Sequence, residues 1–138
     1  MNQQLIFLPL LVQIVLVFWL YIKLINAKVS ALKNNMVDET RRALHDDAWP
    51  DSVIQINNCI RNQFEIPMVF ALLSILIWLL QGVNMWILAI ASLFTASRIV
   101  HAFIHTGSNR VSLRRRAFTL GVVLNMILCA YAFYLVLR

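Results

Sequence analysis

Four apolar stretches, each about 20 residues long, limit this chain to very few folds. They run roughly Leu5–Ile25, Ile60–Leu80, Met85–His105 and Ala117–Leu137. About 20 helical residues cover about 30 Å, the thickness of a bilayer's hydrocarbon core. Lipid offers no hydrogen-bond partners, so only helices and closed barrels cross it. No period-2 alternation marks any of the four stretches, which selects helices. Of the 138 residues, 61% are hydrophobic and 13% are charged, far from the make-up of an ordinary soluble domain. That length leaves room for one domain, residues 1–138. The connections around Gly82–Asn84 and Gly107–Asn109 are short, so consecutive helices are antiparallel neighbours. The fold read from these features is all-α: an integral membrane, antiparallel four-helix bundle.

The first stretch is read as a retained span and not a signal peptide, because no Lys or Arg precedes it and Lys23, Lys28 and Lys33 follow. Basic residues also set an orientation. Lys28, Lys33, Arg41 and Arg42 lie between the first two stretches, "TGSNRVSLRRR" lies between the last two, and "QGVN" between the middle two is uncharged. The positive-inside rule puts both basic loops in the cytoplasm and both termini outside. A net charge of +6 then faces anionic lipid and calls for no nucleic acid. The long loop, roughly Asn26–Asn57, holds five of the six acidic residues in "DETRRALHDDAWPD". A short surface helix and a turn are expected there, with Pro50 as the breaker. Cys59 and Cys129 fall at different depths with no C-x-x-C or Cys/His spacing, so neither a disulfide nor a metal site is expected.

The informative residues are the polar ones inside the spans, where a charge costs roughly 2.5–3.5 kcal/mol on insertion scales. Asn58, Arg61, Asn62 and Glu65 follow one another at i, i+3, i+4 and i+7, one face of a helix. Arg61 and Glu65, one turn apart, are placed to neutralise each other. Arg98, His101 and His105 share a face of the third span, and Arg114 and Phe118 share one at the start of the fourth. All these groups lie toward the same side of the membrane, which suggests a cavity rich in arginine and holding one carboxylate. Such a cavity suits an anion that also carries an ammonium, since arginine forks bind carboxylates bidentately and a nearby cation favours a thiolate. Structural readings stand beside these. Arg61 and Glu65 can be a packing pair, Arg115 and Arg116 an interfacial anchor, and His101 a hydrogen-bonded packing residue. Arg98, about two turns inside its helix, is too deep to snorkel with ease.

"RNQFEIPMVF", then "RIVHAFIH", then "NRVSLRRRAFTLG" together resemble the MAPEG family, the membrane-associated proteins in eicosanoid and glutathione metabolism. The resemblance covers nearly the whole chain, and its brevity suits a bacterial-type member of an inner membrane. It implies a homotrimer, with glutathione as co-substrate held between subunits and a lipophilic acceptor arriving from the bilayer. Carried over by position, Arg61, Asn62 and Glu65 match glutathione-binding residues, Glu65 taking the ammonium and Arg61 a carboxylate. His101 matches a ligand-contacting histidine, Arg98 an arginine of the pocket wall, and Arg114 the arginine that stabilises the thiolate. Lys28 is the nearest match to a basic residue ending the first helix. The chain departs from the prostaglandin synthases of the family, which have tyrosine at His105, serine at Arg115 and tyrosine at Phe118. These lost hydroxyls argue against prostaglandin synthesis. The expected function is a glutathione transferase or peroxidase. The alternative is a non-catalytic membrane module whose cationic pocket holds a lipid headgroup or another anion, or which serves as a subunit of a complex.

Overall fold

The structure is a computed structural model that describes residues 2–138. After a 3-10 turn at Gln3–Ile6 come α1 (Phe7–Lys33), α2 (Asp51–Gln63), α3 (Ile66–Leu79), α4 (Met85–Thr106) and α5 (Val111–Leu137). Helices α2 and α3 are two halves of one span, so four segments are long and apolar enough to cross a membrane: Gln3–Lys33, Asp51–Leu79, Met85–Thr106 and Val111–Leu137. The four spans are those expected, with ends that differ. The 27 residues of α1 cover about 40 Å and outrun the bilayer core. Lys28 and Lys33 therefore ride on helix, and the long loop shrinks to residues 34–50.

The break in the second span was not expected. Pro67 has no N–H to give the Gln63 carbonyl, and its ring clashes with a continuing helix. Helix α2 ends at Gln63, and Glu65 takes a non-helical φ of −97° and ψ of −101° before α3 begins. The spacing that placed Glu65 on one face with Asn58 and Arg61 is lost across this break. The two halves also choose different neighbours: α2 packs on α1 and α4, while α3 packs chiefly on α5. The core divides in the same way. Phe70, Leu73, Ile77, Phe94, Leu124 and Leu128 fill the half around α3, and Leu16, Leu20, Leu24, Val53, Ile56 and Ile60 fill the half around α2.

Amides close the ends. At the α3–α4 turn, Gln3 donates from Nε2 to the Val83 carbonyl at 3.1 Å and accepts from the Val83 N–H at 2.8 Å. Tyr131 donates its hydroxyl to the Gly82 carbonyl at 2.8 Å. Gln81, not Gly82, takes the left-handed conformation there, with φ 55°, and the Asn84 side chain caps α4 by accepting from the Trp86 and Ile87 N–H groups. At the opposite end Lys23 Nζ donates to Thr106 Oγ1 at 2.9 Å, and Gln55 Nε2 donates to the His105 carbonyl. A cation at a helix C-terminus is favourably placed against the dipole.

In the loop, a 3-10 turn at Asp46–Ala48 stands where a short helix was expected. Asp47 pairs with Arg41 at 2.8 Å and Glu39 with Arg42 at 2.8 Å. The Arg41 side-chain hydrogen bond holds the Asp47 carboxyl below its ordinary range, and the Thr40 hydroxyl does the same for Asp38. A depressed carboxyl stabilises the fold above its unfolded pKa, and that contribution fades as pH falls through the folded value. Amide exchange of residues 38–48 should therefore quicken below about pH 4, near the ordinary carboxylate pKa, while the spans stay protected. Exchange that is flat with pH after correction for the intrinsic rate would contradict these contacts.

Helices α4 and α5 approach closely at Gly121. A Cβ there would lie 3.1 Å from Ser97 Oγ, 3.5 Å from Arg98 Cδ and 3.6 Å from Phe94 Cε2. Gly121→Leu should overpack this contact by about 1–3 kcal/mol and lower the melting temperature in detergent by several degrees. An unchanged melting temperature would contradict it.

Candidate functional site

Arg98 sits on α4 between the two halves of the core, with none of its surface exposed. An arginine so placed needs partners for five N–H groups and for its charge. It has few. Nη2 donates to the Asn62 carbonyl, at the end of α2 beside the break, over a long 3.4 Å. Nε and Nη1 have no hydrogen-bond partner. Among the described residues, no carboxylate lies within ion-pair distance of it. Its guanidinium carbon is 5.3 Å from the centroid of the Phe118 ring, a cation–π contact that returns only part of what desolvation costs.

The neighbours of Arg98 are also short of partners. His101 faces the Arg114 carbonyl through Nδ1 at 3.1 Å. A carbonyl only accepts, so Nδ1 carries the proton, and in the neutral ring Nε2 is a bare acceptor. That Nε2 is buried and unpartnered, as is Nδ1 of His105. The two imidazoles meet edge to face at 5.4 Å, and Phe118 lies 5.8 Å from His101. Arg114, half-buried in the first turn of α5, is held by Asn109, whose Oδ1 accepts from Nη1 at 2.7 Å. Asn109 reaches this position with a left-handed φ of 49°.

Asn62, Arg98, His101, His105, Arg114 and Phe118 thus gather where α2, α4 and α5 meet. Phe118 lies against Arg98 and His101 at that point. Three other candidates lie elsewhere. Arg61 is exposed and pairs with Asp46 of the loop, not with Glu65, because the break carries Glu65 off its turn. Glu65 is exposed and, among the described residues, makes no ion pair, although its charge is near enough to act on Arg98. Lys28 stacks over the Trp49 ring at 4.7 Å, and Lys23 is the α1 cation that reaches the end of α4.

A second set of polar groups lies beside the break. Gln13 Nε2 donates to Gln63 Oε1 at 2.9 Å, and Asn125 Nδ2 donates to the Ile66 carbonyl at 2.9 Å. All three side chains are buried, and Gln13 Oε1 and Asn125 Oδ1 lack donors. These amides flank the break from α1 and α5. The sequence signal was there: a lone amide in an otherwise apolar stretch, costly unless paired.

This arrangement can receive negative charge. Arg98 offers two free donor groups, Arg114 a half-buried guanidinium nearby, and His101 an acceptor for a proton-bearing atom. The MAPEG family model matches residues 6–134 of the chain. No curated protein matches the chain, and no solved structure does.

A buried cation without a counter-ion weakens the fold that holds it, and an apolar side chain of similar volume removes that penalty. Arg98→Met should melt at the same temperature as the parent or higher, although the Asn62 carbonyl loses a donor, and added sulfate should raise the melting temperature of the parent more than that of the variant. A lower melting temperature with the sulfate effect intact would overturn this view of Arg98.

Proposed function

The chain belongs to the MAPEG family, integral membrane proteins of eicosanoid and glutathione metabolism, and on that premise we propose that it activates glutathione for attack on lipophilic electrophiles or hydroperoxides. The single observation that carries the proposal is Arg98, a wholly buried arginine that, among the described residues, has two unpartnered nitrogens and no carboxylate within ion-pair distance. A site so charged is completed by an anion. Glutathione brings two carboxylates and a thiolate together with one ammonium.

In this reading Arg114 is the catalytic residue, its guanidinium, held by Asn109, stabilising the thiolate. Arg61 takes a carboxylate, Glu65 the ammonium, and Asn62 a peptide group, while Arg98 and His101 form the wall, with His105 and Phe118 beside them. Arg61 and Glu65 face outward from one chain, which supports a ligand lying between this surface and a neighbouring subunit of a homotrimer. Lys28, remote from the cluster within its own chain, would serve only across such an interface. In conjugation, the sulfur forms a bond to carbon as the leaving group departs with its electron pair. In peroxide reduction, the sulfur takes the terminal oxygen, the O–O bond breaks, and the alkoxide accepts a proton. A second glutathione then reduces the sulfenic acid to disulfide and water. The acceptor comes laterally from the lipid, and the basic loops face the cytoplasm of a bacterial inner membrane, with both termini outside.

A second reading, a non-catalytic module that holds another anion, is favoured by one feature: Phe118 and His105 close the cluster where hydroxyl groups would have met the ligand.

Titration of the detergent-solubilised protein with glutathione, followed by ultraviolet thiolate absorbance, tests the first reading. The parent should develop thiolate absorbance at neutral pH. Arg114→Ala should raise the glutathione concentration needed by about ten- to a hundredfold, the worth of a charged hydrogen bond of about 1.5–3 kcal/mol. No absorbance with the parent would favour the non-catalytic module, and an unchanged titration with the variant would take the thiolate away from Arg114.

A further inference from the structure

A shallow apolar groove of about 420 Å³ runs along the outside of α4 and α5. Leu93, Ala96, Val100 and Ile104 come from one face of α4, and Leu113, Ala117 and Leu120 from one face of α5. Among the described residues that line it, Arg116, at its loop end, is the only charged one. Arg116 lies two residues past Arg114, about 200° round the helix, so the groove is separate from the candidate site. From Leu93 to Ile104 it extends about 16 Å, close to half of a hydrocarbon core of about 30 Å.

The groove's charge is uncompensated. From Ile66 to Arg138 the chain has six arginines and no acidic residue. No acid stands in the first turn of α5 and no side chain caps it, so Arg114, Arg115 and Arg116 crowd the positive end of the helix dipole, where anions are favoured. Asp46, Asp47 and Glu39 pair with other arginines.

We propose that this groove is a binding site for one anionic phospholipid, with an acyl chain along α4 and α5 and the phosphate on Arg116. Length, apolar lining and a single cation at the depth of the headgroups match that occupant. A zwitterionic lipid carries a compensating cation and gains less from Arg116. Ser97 lines the groove but has its hydroxyl turned to the Phe94 carbonyl at 2.6 Å, so the floor makes no polar demand on a hydrocarbon chain.

The full-length protein, reconstituted with phosphatidylglycerol and phosphatidylcholine in equal amounts and released into the gas phase from detergent, tests this by mass. The parent should retain phosphatidylglycerol selectively. Arg116→Gln should reduce that retention by about fivefold, the weight of one interfacial cation. Val100→Trp, which fills the groove at an exposed position, should abolish it with Arg116 still present. Arg138→Gln, which removes an equal charge at the far end of α5, should leave it unchanged. Equal retention of both lipids overturns the proposal, and so does an Arg116→Gln protein that holds phosphatidylglycerol as the parent does. Displacement of phosphatidylglycerol by added palmitate assigns the groove to a free fatty acid and overturns it too. So does a Val100→Trp protein that falls apart into single chains with its lipid intact, since a second copy then covers the groove.

Discussion

The break in the second span is the constraint on which the rest depends. Pro67 forbids a continuous helix, and Glu65 takes the non-helical turn. Because the span bends there, its first half can lie on α1 and α4 and its second half on α5. Carbonyls at a bend within lipid need donors. Arg98 supplies one to Asn62, and Asn125 supplies one to Ile66. Structure and chemistry are joined here. The arginine that serves the bend is far larger in donor capacity and charge than one carbonyl requires. What the bend leaves unused, Nε, Nη1 and a positive charge, is what a ligand can take.

Charge along the chain is divided in a way that reinforces this. All six acidic residues precede Ile66, and those of the loop are largely spent on Arg41, Arg42 and Arg61. The second half of the chain has arginine only. Among the described residues, none of its six cations makes an ion pair, which leaves them open to anions from outside. Screening by water softens the exposed ones, but Arg98 lies beyond it. The start of α5 thus carries cations on two faces, Arg114 toward the α4 cluster and Arg116 toward the outer groove.

The number of spans, their helical nature and their order were legible because bilayer thickness leaves one solution for four runs of about 20 apolar residues. The grouping of Arg98, His101 and His105 was legible for a similar reason, since i, i+3 and i+7 keep one face in an unbroken helix such as α4. The same rule failed in the second span, where Pro67 interrupts the period: Arg61 and Glu65 look like turn neighbours in sequence and part company in space. Arg61 instead found Asp46, fifteen residues earlier, through a loop conformation that no local period encodes. Gln13, Gln63 and Asn125 were missed because single amides have no spacing. A lone amide in an apolar stretch signals a buried partner, but which partner appears only when the bend they flank is known.

Arg98 is a buried cation with donors to spare, and whether an anion completes it is tested most directly by an experimental density map of the detergent-solubilised protein with glutathione present. Ligand density should reach Arg98, with Arg114 beside the sulfur and Phe118 moved aside. A map in which Arg98 instead meets a carboxylate from a neighbouring subunit, with no ligand between, would contradict it.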